Sequence, residues 1–95
     1  MEFEWDSRKA EGNLRKHKVT FQEASTVFGD TLSMTVSDPD HSLREHRFIT
    51  IGQSSRMRFL MVAHAQRGER VRIISARTLT RKERRDYEAI QENSI

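Results

Sequence analysis

Cysteine is absent from the 95 residues. That excludes a disulfide framework and a thiolate zinc centre, and it makes an intracellular, cytoplasmic home the expectation. No apolar run approaches the roughly 20 residues of a spanning helix, and Met1-Glu2-Phe3-Glu4 does not read as a signal peptide, so no membrane partner is expected. Glycine occurs only at Gly12, Gly29, Gly52 and Gly68, too widely spaced for a phosphate-cradling loop. The histidines, His17, His41, His46 and His64, form no i,i+4 pair, and Asp38 and Asp40 fall on a turn around the single proline, Pro39. Neither a metal site nor a cofactor is expected from them. Repeats and low-complexity linkers are missing too, so residues 1–95 read as a single domain. A chain of this size buries about 60–70% of its unfolded surface.

Charge is abundant, and it is uneven. Residues 1–45 hold six Lys/Arg against nine Asp/Glu, whereas residues 46–95 hold eleven against five. The densest stretch runs from Arg67 to Arg85, with eight cations and only Glu69 and Glu83 opposing them. Several of these cations fall in the first turn of an expected helix, where the macrodipole is already positive. A basic half on a small domain suggests nucleic acid or an acidic protein as partner; a solvated charged surface accounts for the composition equally well.

The local patterns predict an α+β fold in the order β-α-α-β-β-β-β-α. Glu2-Phe3-Glu4-Trp5 alternates as a short N-terminal strand. Asp6 or Ser7 caps a helix through His17, with Ala10, Leu14 and His17 along one stripe. Thr20 and Glu23 form a capping box, stapled by Val19 and Ala24, for a second helix that turns Phe21, Ala24, Val27 and Phe28 inward and stops at Gly29. Leu32, Met34 and Val36 mark a half-buried strand, ended by the Asp38-Pro39-Asp40 turn and a polar loop through His46. Strands follow at 47–52, 59–65 and from Arg70, joined at Gln53–Arg56 and Arg67–Glu69, as an antiparallel meander. In the last strand Val71, Ile73 and Ser75 are expected on one face, and Arg70, Arg72, Ile74 and Ala76 on the other. Thr80 and Glu83 then cap a C-terminal helix that carries Tyr87 and Ile90 inward and frays over 92–95.

An ordered series of these segments resembles the BrnT family of toxins. Phe3-Glu4-Trp5-Asp6 is followed by Asn13-Leu14-Arg15-Lys16-His17, Val19 and Phe21-Gln22-Glu23-Ala24. Arg47–Gly52, Arg72–Arg77, and Arg81-Lys82-Glu83-Arg84 with Tyr87-Glu88 complete the likeness, which spans about residues 3–88. The resemblance implies a compact RelE-like domain with two N-terminal helices, one C-terminal helix and an antiparallel sheet. It also implies a type II toxin–antitoxin system, a ribonuclease that inhibits translation, and a cognate BrnA-type antitoxin. Promoter DNA would then be bound only through the toxin–antitoxin complex. The series departs from the family at Lys18, where Gly is usual: that corner is either less tightly turned or held left-handed at some cost.

RNA carries its own nucleophile, so its cleavage needs a base for the 2′-OH, cations for the developing charge, and an acid for the departing 5′-oxygen. The residues proposed for this chemistry are Lys16, His17, His64, Arg72 and Arg77. Histidine titrates near neutrality, and arginine grips two phosphate oxygens. Each has a plainer reading: a buried histidine at His64, a packed stem with solvated head at Arg72 and Arg77, a helix end favouring cations at Lys16 and His17. Arg47, Arg56, Arg58, Arg81, Lys82, Arg84 and Arg85 are assigned to RNA or antitoxin contact. The competing functions are a nucleic-acid binder that does not cut, and a protein-interaction module whose basic helix docks an acidic partner.

Overall fold

The computed structural model describes residues 1–38 and 45–93. The Pro39–Asp40 part of the expected turn, His41, and the end of the expected fraying at Ser94 and Ile95 lie outside the described residues. Strand β1 (Glu2–Glu4) precedes helices α1 (Ser7–His17) and α2 (Phe21–Thr26), the latter extended by a 3-10 turn at Val27–Gly29. Strands β2 (Met34–Ser37), β3 (Arg47–Gln53), β4 (Phe59–Arg67) and β5 (Arg70–Thr78) follow, and helix α3 (Arg81–Asn93) closes the chain. Local caps set the boundaries. The Asp6 carboxylate accepts the Arg8 N–H at 2.8 Å, and Thr20 Oγ1 accepts the Glu23 N–H at 3.0 Å. At α3 the box is reciprocal: Thr80 Oγ1 accepts the Glu83 N–H at 3.1 Å, and Glu83 Oε1 accepts the Thr80 N–H at 2.9 Å. At α2 only half the box forms, because the Glu23 carboxylate is drawn away to Ser54 and Arg58.

The five strands lie in the order β1-β5-β4-β3-β2. Strands β2 to β5 pair antiparallel in succession, but β1 runs parallel to β5, so the sheet is mixed and not the antiparallel sheet expected. A parallel neighbour requires a long connection, and here that connection is the whole intervening chain. Within β5 the alternation slips. The register passes from His64↔Ile73 to Ala63↔Ser75, leaving Ile74 as the extra residue of a bulge. Val71, Ile73 and Ala76 therefore share the buried face, at 5%, 1% and 1% exposure. The placement of Ala76 beside Arg72, and of Ser75 beside Ile73, is corrected accordingly. Arg72 and Arg77, five residues apart, consequently end on the same face.

The core lies between the sheet and α1–α2. Leu60, Val62, Ile73 and Ala76 meet Val19, Phe21, Ala24 and Val27, with Phe3, Trp5, Ala10 and Phe28 packed around them. Helix α1 joins it through Ala10 and Asn13; Leu14, expected on the inward stripe, is 46% exposed. Helix α3 meets the sheet elsewhere. Its Tyr87 ring lies 5.8 Å from Phe59 and its hydroxyl donates to the Leu32 carbonyl at 2.8 Å, while the Arg84 guanidinium sits 4.5 Å over the Phe59 ring. Ile90, expected inward, is 47% exposed.

Candidate functional site

Strand β1 is short: its last paired residue, Glu4, lies opposite Arg72. Beyond that point the outer edge of β5 has no strand neighbour among the described residues, and unpaired backbone groups at an edge need partners. Asn13, in the middle of α1, supplies them. Its Oδ1 accepts the Ala76 N–H at 3.0 Å, and its Nδ2 donates to the Ala76 carbonyl at 2.8 Å and to the Val19 carbonyl at 3.0 Å. A carboxamide thus takes the place of a strand residue and fixes α1 along the sheet edge. His17 lies one turn further on, at the helix end. There Lys18 adopts the left-handed conformation (φ 60°), its N–H donating to the Leu14 carbonyl at 3.0 Å, and turns the chain away. The structure thereby decides between the two readings of that corner.

This carries His17 around the edge to the face away from α1 and α2. There it lines a concavity of about 280 Å³ with Ser75 and Arg77, over a floor of Ile49, Met61 and Ala63. Arg77 faces the same space because the bulge shifted its side. Its guanidinium makes a two-point pair with Glu83, Nη1 to Oε1 at 2.7 Å and Nη2 to Oε2 at 2.8 Å. Nη1 also donates to the Thr78 carbonyl at 3.2 Å, and Nη2 approaches Met61 Sδ at 3.2 Å. Of its five N–H groups only the one on Nε is left without a partner among the described residues. The pairing pushes the Arg77 pKa up, and it holds Glu83 down at about 2, the Arg77 hydrogen bond acting first and the Thr80 N–H second. Arg77 is therefore a fixed, permanently charged group, clamped by the first turn of α3.

The other expected site residues lie elsewhere. Arg72 shares the sheet face of Arg77, but its Nη1 donates to Glu4 at 2.9 Å. Lys16, next to His17 in sequence, is exposed and does not line the concavity. His64 is on the opposite face, 6% exposed, between Phe28 and Phe48 with ring centroids at 4.8 and 5.8 Å. Its Nε2 lies 2.7 Å from Thr50 Oγ1, its Nδ1 has no partner among the described residues, and burial pushes its pKa down to about 4. The sheet separates it from His17 and Arg77, so the expectation that His64 joins them at one surface is corrected. The strand parity that aligns it with Leu60 and Val62 points it into the layer covered by the helices.

Most of the cations expected to contact a partner are matched to acids. Arg58 forms a two-point pair with the buried Glu23, one contact Nε to Oε2 at 2.9 Å and the other through Nη2, which also donates to the Lys18 carbonyl at 3.0 Å. Ser54 completes the Glu23 shell at 2.7 Å, and the Arg58 hydrogen bond heads the causes that lower the Glu23 pKa. Arg56, with its side chain 72% exposed, lies 4.0 Å from the same carboxylate. Arg47 pairs with Glu45 at 3.2 Å, and Lys82–Asp86 and Arg84–Glu88 are i,i+4 pairs at 3.0 Å. Arg81 and Arg85 make no ion pair among the described residues; with Arg84 and Glu88 they line a separate hollow of about 390 Å³.

Sequence reasoning missed Asn13, Ser75 and the second role of Glu83. An asparagine inside a helix is a recognisable anomaly, and it marks where α1 meets the sheet. The Glu83 capping box was legible, but nothing local says that its carboxylate also faces Arg77.

The fold has a counterpart among solved structures. The crystal structure of the Brucella abortus ribonuclease toxin BrnT is similar, with a TM-score of 0.63 and 21% identity over 85% of this chain and 99% of that one. It shares the α+β architecture of three helices on a five-stranded sheet. Curated protein sequences yield no significant match. The family model for the ribonuclease toxin BrnT of type II toxin–antitoxin systems matches residues 5–83. The chain belongs to the BrnT ribonuclease toxin family.

Proposed function

We propose that this chain cuts RNA without a metal ion at the concavity between His17 and Arg77, and that it inhibits translation by doing so. The observation that carries the reading is the convergence of these two side chains on one open sheet face, with Ser75 beside them. His17 moves one proton, as base for the 2′-OH or acid for the 5′-oxygen, and solvent water exchanges the other as the P–O2′ bond forms and the P–O5′ bond breaks. Arg77 stabilises the charge that develops on the phosphorane: it is held rigid by Glu83 and presents its Nε–H. Arg72, on the same face, and Lys16, beside His17, contribute positive field along the strand's path. His64 has no part in this scheme. In keeping with the family, the cytoplasmic toxin has a RelE-like mode of action and is neutralised by a cognate BrnA-type antitoxin, through which alone it contacts promoter DNA.

The test is direct. Purified protein is added to RNA in EDTA, alongside His17→Ala and Arg77→Ala variants whose circular dichroism matches the parent. Cleavage products from the parent, reduced about 100-fold or more in each variant, are expected for loss of a proton-transfer group or a fixed cation. A mobility shift without products marks a binder that does not cut. Full cleavage by both variants moves the site elsewhere.

A further inference from the structure

The face that meets RNA accounts for only part of the surface chemistry. Where α3 crosses the end of the sheet there is a further groove of about 320 Å³, and it has the opposite electrostatic character. Its floor is apolar: Leu32, Phe59 and Tyr87. Its rim carries Asp30, Glu88 and Glu92, and among the described residues no Lys or Arg lines it, although the Arg84 guanidinium lies 4.5 Å over the Phe59 ring. That is unexpected in a chain with formal net charge +3. The acids are not all consumed internally. Among the described residues Glu92 makes no ion pair, and the Asp30 carboxylate accepts only backbone N–H groups, from Leu32 at 3.0 Å and Gln53 at 2.8 Å. Glu88 is shared with Arg84 at 3.0 Å. The same negative potential is felt by Tyr87, whose pKa is raised by burial first and by the Asp30 charge second.

Leu32 is the exposed element of this groove, with 63% of its surface accessible. Its backbone is nevertheless fixed, because its carbonyl accepts from both Tyr87 Oη at 2.8 Å and Gln91 Nε2 at 2.7 Å. A rigid, open apolar floor inside an acidic rim is a preformed seat for an anchor side chain flanked by cations. A polyanion would be repelled from it.

We infer that this groove is a docking site for the cognate antitoxin, engaged by a segment that places an aliphatic or aromatic anchor on Leu32, Phe59 and Tyr87 and sets Lys or Arg against Asp30, Glu88 and Glu92. The inference rests on the toxin–antitoxin reading above but not on the cleavage chemistry, since the groove shares no residue with the His17–Arg77 concavity. Tyr87 in the groove floor and Glu83, which clamps Arg77, are one turn apart on the same helix.

The experiment titrates purified cognate antitoxin into the chain by calorimetry, for the parent, the Leu32→Lys/Glu92→Lys variant and His17→Ala. The groove variant should bind at least about tenfold more weakly and cut RNA at the parental rate. His17→Ala should bind normally and not cut. Raising the salt from 50 to 300 mM should weaken the parent complex and narrow the gap between parent and groove variant. Groove-variant affinity within twofold of the parent overturns the inference, as does a parent chain that is itself a dimer dissolved by these substitutions, since a second copy is then the occupant. Loss of cleavage in the groove variant with unchanged antitoxin affinity likewise counts against it. A parent that binds antitoxin through the groove but cuts no RNA sinks the ribonuclease reading and leaves the docking site standing.

Discussion

When the medium is brought from pH 7 to pH 5, the ionisable group most at odds with its surroundings is His64. Its ring is 6% exposed and lies between Phe28 and Phe48, its Nε2 meets Thr50 Oγ1, and its Nδ1 has no partner among the described residues. An imidazolium there would have an Nδ1–H with no acceptor among the described residues. Burial accordingly lowers the pKa from 6.5 to about 4. Between those values the unfolded chain binds a proton that the folded chain refuses, so stability falls as the pH falls. The contribution is fully present above pH 6.5 and is lost as the pH descends toward 4. Each pKa unit corresponds to about 1.4 kcal/mol, so the full swing is about 3 kcal/mol, with about 2 kcal/mol of it between pH 7 and pH 5. The carboxylates act lower. Glu23 and Glu83 have folded pKa values below 4.5, Glu83 at about 2, so their stabilisation is present above pH 4.5 and lost as the pH falls through the folded values. Urea unfolding at pH 7, 6 and 5 isolates the histidine. The parent should lose about 2 kcal/mol over that range, and His64→Phe, which fills the space between the two rings, should lose little. Equal losses in parent and variant would show that His64 is not the group that titrates.

Two further perturbations test the backbone. A β-carbon at Gly52 would lie 2.9 Å from Ser33 Cβ and 3.0 Å from Val27 Cγ1 and Asp30 Oδ2, so Gly52→Ala should destabilise by about 1–3 kcal/mol in urea unfolding; unchanged stability would mean that the β3 end does not sit against the 3-10 turn. Lys18→Gly removes the cost of a left-handed lysine at φ 60° and should stabilise by about 1 kcal/mol, a gain of about 4–8 °C in Tm measured by circular dichroism. A lower Tm would show that the Lys18 stem contributes more than its backbone costs.

What could be read from the sequence was what is decided within a few residues. The Thr80–Glu83 box, the Asp6 cap and the Phe59–Ala65 strand depend on neighbours in the chain, and each appears where local chemistry puts it. The errors arose where a distant partner outbid a local one. Glu23 has the spacing of a complete capping box, yet its carboxylate goes to Arg58, 35 residues away, because a carboxylate that is nearly buried gains more from a guanidinium than from a backbone N–H. Alternation along the 59–65 strand puts His64 on the side of Leu60 and Val62, but no periodicity tells which face of a sheet the helices will cover. The late arginines read as a cationic cluster because sequence counts charges and not pairs. In space Arg70, Arg72 and Arg77 face Glu2, Glu4 and Glu83.

The site itself follows from two irregularities that strict patterns do not contain. Perfect alternation along β5 would place Arg72 and Arg77 on opposite faces, since five residues is an odd spacing, and would place Ser75 against the core. The extra residue at Ile74 reverses the parity and brings Ser75 and Arg77 out together. The shortness of β1 does the rest. Had it continued past Glu4, its backbone would occupy the edge now held by Asn13, and α1 would lie wholly over the covered face with His17 behind the sheet. Because the edge is left open at Ala76, a helix closes it with one carboxamide, and the residue one turn later reaches the other side. A histidine from the helix layer and an arginine from the opposite face of the sheet meet only when both conditions hold. That dependence makes Asn13, which touches no substrate in this scheme, as decisive for the position of His17 as the bulge is for that of Arg77.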